Sequence, residues 1–155
     1  MRILDSSRVL AVVCTGLYAG IILGDRMGAS YARPVLTVAD FIRFQQIQHV
    51  HFKPLLMPII LGAVLGGLIW IWLLRTRWRT AEFWLATGGT AAMVAAAVMT
   101  RLVNFPINDA LMTWSAAAPP ANVRALWAPW EQVHTVRATL SVLAFVLEVL
   151  ALRVR

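Results

Sequence analysis

Charge is what this chain has least of. Of its 155 residues only 14% are charged, while 60% are hydrophobic. An ordinary soluble domain carries roughly 25% charged residues. So little charge points to lipid as the solvent for most of the surface. Acidic residues are scarcer still, seven against fourteen Lys and Arg, which leaves a net charge of +7. A nucleic-acid partner would need those positives gathered into a patch with interleaved aromatics. Here they flank apolar runs, which argues against nucleic acid and fits the charged margins of membrane spans. There is one cysteine, Cys14, inside an apolar run. An intramolecular disulfide is therefore excluded, and the thiol reads as a small packed side chain.

What the chain does have is four apolar stretches in about one domain's worth of residues. A membrane helix needs roughly 20 mainly apolar residues. Leu55 to Leu74 is 20 residues without a charge, Phe83 to Thr100 is 18, and Val9 to Gly24 is 16. A fourth stretch, Val133 to Leu152, is interrupted by His134, Arg137 and Glu148. The expected fold is all-α, a four-transmembrane-helix bundle with two longer outer loops containing partly helical segments. It is one integral membrane domain over 1–155. Its spans fall near 8–24, 55–74 with a helical extension from about 38, 81–103 and 133–152.

The first span has the basic start and apolar core of a signal peptide. No clear small-x-small cleavage site follows, and Asp25-Arg26 ends the run abruptly, so an uncleaved helix is expected. A lipid anchor on Cys14 is disfavoured by the bulky Val13 before it. Arg2, Arg8, Arg75, Arg77, Arg79, Arg153 and Arg155 crowd the short segments of one side. That density predicts N-in and C-in, in keeping with a bacterial plasma membrane. Trp70, Trp72, Trp78 and Trp84 bracket the inner loop, and Trp114, Trp127 and Trp130 sit in the second outer loop, as two interfacial levels would require.

Gly16, Gly20 and Gly24 recur every four residues, as do Gly62 and Gly66, a spacing that lets membrane helices approach closely. Pro54 and Pro58 are expected to bend or break the start of span two, and Pro106 to break span three.

The polar exceptions collect at the outer end. Gln45, Gln46, Gln48, His49 and His51 crowd the helical lead into span two. They read either as the wet face of an interfacial helix or as the wall of a polar pocket. His49 and His51 point about 200° apart on a helix and cannot chelate one ion together there. A metal or haem site would need His49 and His51 together with His134 from another helix, and no carboxylate cluster supports one. Asn104 and Asn108 flank Pro106 and read either as caps of the helix end or as amides that hold a ligand. On span four, Trp130, His134, Arg137, Ser141, Phe145 and Glu148 fall within about 80° of arc. Such a stripe faces protein or a cavity, because an arginine against lipid costs a few kcal/mol. His134 and Arg137 read either as a buried polar staple or as a base and an oxyanion partner. Glu148 lies about 16 Å from Arg137 by helix rise and is expected to meet Arg75, Arg77 or Arg79.

These residues carry a resemblance. Asn104-x-Pro106-x-Asn108, then Trp130-x-x-x-His134-x-x-Arg137, resembles the signature of the anthrone-oxygenase-like family of small four-span membrane proteins. The stretch ending Phe52-Lys53-Pro54-Leu55-Leu56-Met57-Pro58 resembles that family's second helix. The likeness follows the whole chain in span order, and its specific part is Asn104 to Arg137. It implies oxidation of a lipophilic aromatic substrate by O2 with no cofactor expected, although most members have no known reaction. It makes His134 the base, with Arg137 beside it as the second catalytic residue. Asn104 and Asn108 become polar substrate contacts. On the chemistry of the residues alone, Gln45, Gln48, His49 and His51 join them as candidate contacts, with Trp130 placed to stack on a flat ring. The alternatives are a non-enzymatic binding or assembly module in the bilayer, or a histidine-ligated metal or haem protein. A transporter would want an internal repeat or charged pore ring, and neither is evident. A homo-oligomer is compatible with the four-span unit.

Overall fold

A computed structural model describes residues 2–154; the side chain of Arg2 and the whole of Arg155, both part of the basic count, lie outside the described residues. Four long helices form the bundle: α1 (Arg2–Met27), α3 (Val38–Leu74), α4 (Ala81–Met99) and α6 (Val123–Arg153). Short α2 (Ala29–Ala32) and α5 (Phe105–Leu111) fill the two connections at one end. Four helical stretches, Ile3–Val35, Val38–Arg77, Ala81–Leu111 and Val123–Arg153, are long and apolar enough to cross a membrane, which makes this an integral membrane protein.

Helix starts follow local chemistry. The Thr37 hydroxyl accepts from the Asp40 amide at 3.1 Å and opens α3. The Thr80 hydroxyl accepts from the Phe83 amide at 3.3 Å and opens α4. Both occupy an amide that the first turn leaves without a helical partner.

At 37 residues α3 is about 55 Å long by helix rise, well beyond a hydrocarbon core of roughly 30 Å. Its first third therefore carries the Gln/His segment past the hydrocarbon or along its margin. The prolines do not break helices as expected. Pro54 and Pro58 lie inside an unbroken α3. Pro106 follows a π turn over Thr100–Asn104 and the helical path continues into α5. The wider i→i+5 turn absorbs the bonds that a proline cannot make, and such turns re-aim side chains.

The core lies in three layers. Ala11, Trp70, Leu74, Ala86 and Ala151 fill the end that holds the termini. Tyr18, Ile22, Ala63, Met93, Ala96 and Ala138 fill the middle. Phe41, Ile42, Leu111, Val123, Trp127 and Trp130 close the other end. Small residues dominate the middle because close backbone contact replaces the hydrophobic drive that lipid cannot supply. A Cβ on Gly66 would lie 2.7 Å from the Ala11 amide nitrogen, and one on Gly62 2.7 Å from the Cys14 sulfur. Gly16 sits against the Phe145 ring. Gly20 and Gly24 face open space, so the four-residue spacing marks a contact only at Gly16 on α1. Gly66→Leu is expected to separate α1 from α3 and cost about 1–3 kcal/mol, read as a lower midpoint of thermal unfolding in detergent.

Two sequence expectations change at the terminal end. Arg8 is buried and donates through Nε to Glu82 at 2.9 Å, with Nη2 on the same oxygen. Trp70 is also buried and donates to that carboxylate at 3.0 Å. Trp70 is thus a structural donor and not an interfacial anchor; Trp72, Trp78 and Trp84 are the exposed indoles there.

Candidate functional site

Polar side chains gather at the end of the bundle that carries the two long connections. Arg33, 2% exposed, stands at their centre. Its Nη2 donates to both Asp25 oxygens at 2.7 and 2.5 Å. Its Nη1 donates to Ser30 at 2.8 Å and to Glu131 at 3.0 Å. Its Nε donates to the Gln45 side-chain oxygen at 3.0 Å. One guanidinium thus ties α1, α2, α3 and α6 together. Arg124 adds bonds to the carbonyls of Arg33 at 2.9 Å and Leu36 at 2.8 Å, fixing the first connection against α6.

From Asp25 the network runs inward. Gln48 donates to Asp25 Oδ1 at 2.6 Å. His134 Nε2 lies 3.0 Å from Asp25 Oδ2. His134 Nδ1 lies 2.9 Å from Arg137 Nη2, and Arg137 Nη1 donates to the Thr100 hydroxyl at 2.8 Å. A guanidinium has only donors, so Nδ1 accepts and the imidazole proton sits on Nε2, facing the carboxylate. The basic lone pair of His134 therefore points at Arg137. The π turn supplies the far wall: it places Thr100 under Arg137 and buries Asn104, whose amide donates to the Trp130 carbonyl at 3.4 Å. Thr100→Val is expected to leave Arg137 Nη1 unpaired and cost about 1–3 kcal/mol in thermal unfolding.

A cavity of about 90 Å³ opens over this network. Its polar lining includes Asp25, Gln45, Gln48, His49, Asn104 and Asn108, with Trp130, His134 and Arg137 at its base. Ile21, Phe52, Leu56, Met57 and Ile60 form an apolar wall. Five buried polar atoms of lining residues make no aligned hydrogen bond: Tyr18 OH, Asn104 Oδ1, Trp130 Nε1, Arg137 Nε and His134 Nε2. His134 Nε2 has the Asp25 carboxylate 3.0 Å away, and the other four are open. Buried polar atoms are normally satisfied. Three donors and an acceptor left open around one cavity are what a small oxygen-bearing ligand or ordered water would fill.

The structure separates the two histidines that sequence left undecided. His49 is half-buried and lines the cavity. His51 is exposed, with Nδ1 2.8 Å from the carbonyl of Ile47 on its own helix, so it is outside the cavity and not a contact within it. Gln46 turns to the carbonyls of Leu111 and Trp114 and holds α5 to α3. His49, His51 and His134 do not form one ligand set, and among the described residues no three His, Cys, Asp or Glu side chains converge as a metal site would need. Trp130 lines the cavity, but its ring is already stacked on Trp127 at 4.4 Å and His134 at 4.6 Å. It offers an indole N–H, not a free face, so the expected stacking on a flat ring is corrected.

Sequence reasoning missed Asp25 and Arg33. In the sequence Asp25 marks the stop of an apolar run, and Arg33 stands in no motif or periodic pattern. The only signal was their types: a carboxylate and a guanidinium beside a span that needs a partner for the His134–Arg137 stripe.

A four-helix integral membrane protein with a buried charged network and a small cavity at one end is the class that fold and site define. The sequence profile of the anthrone oxygenase family matches residues 44–147, about two thirds of the chain, and the chain belongs to that family. No curated protein and no solved structure matches it. The matched segment holds His134, Arg137, Asn104 and the glutamines, whereas Asp25 and Arg33 precede it.

Proposed function

We propose that the cavity binds a lipophilic aromatic molecule with an acidic methylene beside a carbonyl, and that the protein oxidises it with O2. Family membership and the open polar atoms above His134 support this reading. The observation that carries it is the Asp25–His134–Arg137 line at the base of the cavity. In the resting arrangement Arg137 covers Nδ1. A substrate carbonyl oxygen draws the guanidinium onto itself, and this frees the Nδ1 lone pair to take the methylene proton. The developing enolate oxygen keeps Arg137, and the positive imidazole keeps Asp25. Electrons then pass from the electron-rich carbon to O2. A carbon–oxygen bond forms, the proton returns to the peroxide, and loss of water leaves the new carbonyl. The sum is CH2 plus O2 giving C=O plus H2O, which needs no external reductant. No cofactor takes part in this sequence.

The exposed arginines of the 75–79 connection and Arg153 favour the cytoplasmic side for the terminal end. This puts the cavity in the outer half, with substrate arriving from lipid past Phe52 and Met57.

A specific observation favours a second reading. His134 Nδ1 is held by Arg137 and Nε2 lies 3.0 Å from Asp25, an arrangement that also suits a polar staple of a non-enzymatic binding module. Oxygen uptake by detergent-purified protein with a simple anthrone separates the two. Uptake above the spontaneous rate supports the oxygenase; uptake no faster than in buffer leaves the binding module.

A further inference from the structure

Glu148 lies on the same face of α6 as His134 and Arg137, but deeper in the bundle, and it is completely buried. The arginines of the 75–79 connection do not reach it. Arg75 bonds the carbonyl of Trp72 and lies over its ring, and Arg79 lies over Trp78. Glu148 makes no ion pair, and neither carboxyl oxygen has a hydrogen-bond partner among the described residues. It is held close nonetheless: a Cβ on Gly89 of α4 would lie 2.8 Å from its Cγ. A glycine that makes room for a buried acid, with no cation beside it, is not a stability device. An ionised carboxylate there would be an unpaired charge inside the membrane, and such acids mark proton pathways.

The neighbours of Glu148 are polar and also unpartnered. Thr15 on α1 faces it, and Cys14 is the other titratable group beside it. The Thr15 hydroxyl is buried and, although it faces Glu148, makes no aligned hydrogen bond. Thr90 belongs to a different contact, since its side chain packs against Gly67 on α3. Helices α1 and α6 run antiparallel in a register fixed by Gly16 against Phe145, Asp25 facing His134, and Arg26 Nε on the Thr135 hydroxyl at 3.0 Å. In that register Thr15 and Tyr18, one turn apart, lead from the level of Glu148 toward that of Arg137. Tyr18 is fully buried, lines the same cavity as Arg137 and has an unpartnered hydroxyl. Ser141, also fully buried, lies between Arg137 and Glu148 on α6 and donates to the Ala138 carbonyl, so its oxygen is free to accept. Unsatisfied buried groups in such a row are the setting that internal water occupies.

We propose that Glu148 is a membrane-embedded proton-exchange site, joined to the His134–Arg137 cavity by a hydrated seam between α1 and α6 that passes Thr15, Ser141 and Tyr18. The Glu148 O–H bond breaks as its proton passes to seam water, and the same water chain delivers another proton to the carboxylate, so the acid ends neutral. Successive O–H bonds form and break along the row, and the released proton ends in cavity water. No electrons are transferred. The inference goes beyond the oxygenase reading and does not depend on it, since a binding module would hold the same seam.

Infrared spectroscopy of the purified protein tests this in H2O and D2O. The wild type shows a protonated-carboxyl stretch that is absent in Glu148→Gln, and that band shifts on transfer to D2O. Tyr18→Phe and Thr15→Val keep the acid but interrupt the seam, and each slows the deuterium shift by about tenfold or more. The proposal is overturned if Glu148→Gln removes no such band, if the band never shifts in D2O, or if both seam variants exchange as fast as wild type. Should Glu148→Gln fail to fold, the two seam variants still decide the question.

Discussion

Arg33→Met is expected to be the most destabilising single change in the protein, at about 3–5 kcal/mol. The cost arises from what is left behind. Arg33 is 2% exposed and neutralises Asp25 and Glu131, both on other elements. Removing it leaves two partly buried carboxylates near one another without the guanidinium between them and takes its Nε donor from the Gln45 side-chain oxygen. Arg33→Lys recovers part of the loss at most, because one ammonium cannot span the fork that reaches Asp25, Gln45, Ser30 and Glu131 together. The measurement is thermal unfolding in a fixed detergent. A drop no larger than that of an exposed control such as Arg101→Met would refute Arg33 as the keystone of this end.

His134→Gln is expected to lower turnover by about 10²–10⁴-fold while leaving unfolding close to wild type. Glutamine is chosen for its geometry. Its side-chain oxygen can accept from Arg137 and its amide can donate to Asp25, so the two links made by imidazole are kept. The amide has no basic lone pair, and only proton abstraction is lost. His134→Ala removes links and base together and does not separate them. If His134→Gln turns over at the wild-type rate, the residue is a staple and the base lies elsewhere. If it unfolds like His134→Ala, the shape of the imidazole matters more than its basicity, and the stack with Trp130 becomes the reason for its presence.

The spans were legible because lipid imposes a long, nearly charge-free composition on each helix. The stripe on α6 was legible for the related reason that a polar residue in such a helix has one place to go. Trp130, His134, Arg137, Ser141 and Glu148 are buried as their periodicity required, whereas Phe145 of the same stripe is exposed, with its ring edge against Gly16. The partners were less legible. Asp25 and Arg33 sit where an apolar run gives way to a connection, and a charge that stops a span looks the same as one that enters a site. Their bonding to Glu131 and His134 crosses about a hundred residues of sequence and appears only when α1 and α6 lie side by side. The indoles misled for a different reason: an amphipathic ring suits a membrane interface and a buried N–H donor equally. Trp70 and Trp127 took the buried donor role, to Glu82 and Glu131, and Trp130 is buried with its N–H facing the cavity. The π turn left no sequence signature apart from Pro106, yet it sets where Thr100 and Asn104 point.

The most direct test of the account is the fate of oxygen atoms. Purified protein is supplied with a simple anthrone under isotopically heavy O2, and the product is analysed by mass spectrometry beside His134→Gln of matched stability. The account predicts one heavy oxygen in the new carbonyl, the other in water, and product formation that falls to the spontaneous rate in the variant. A product without heavy oxygen, or equal yields from both proteins, would contradict it.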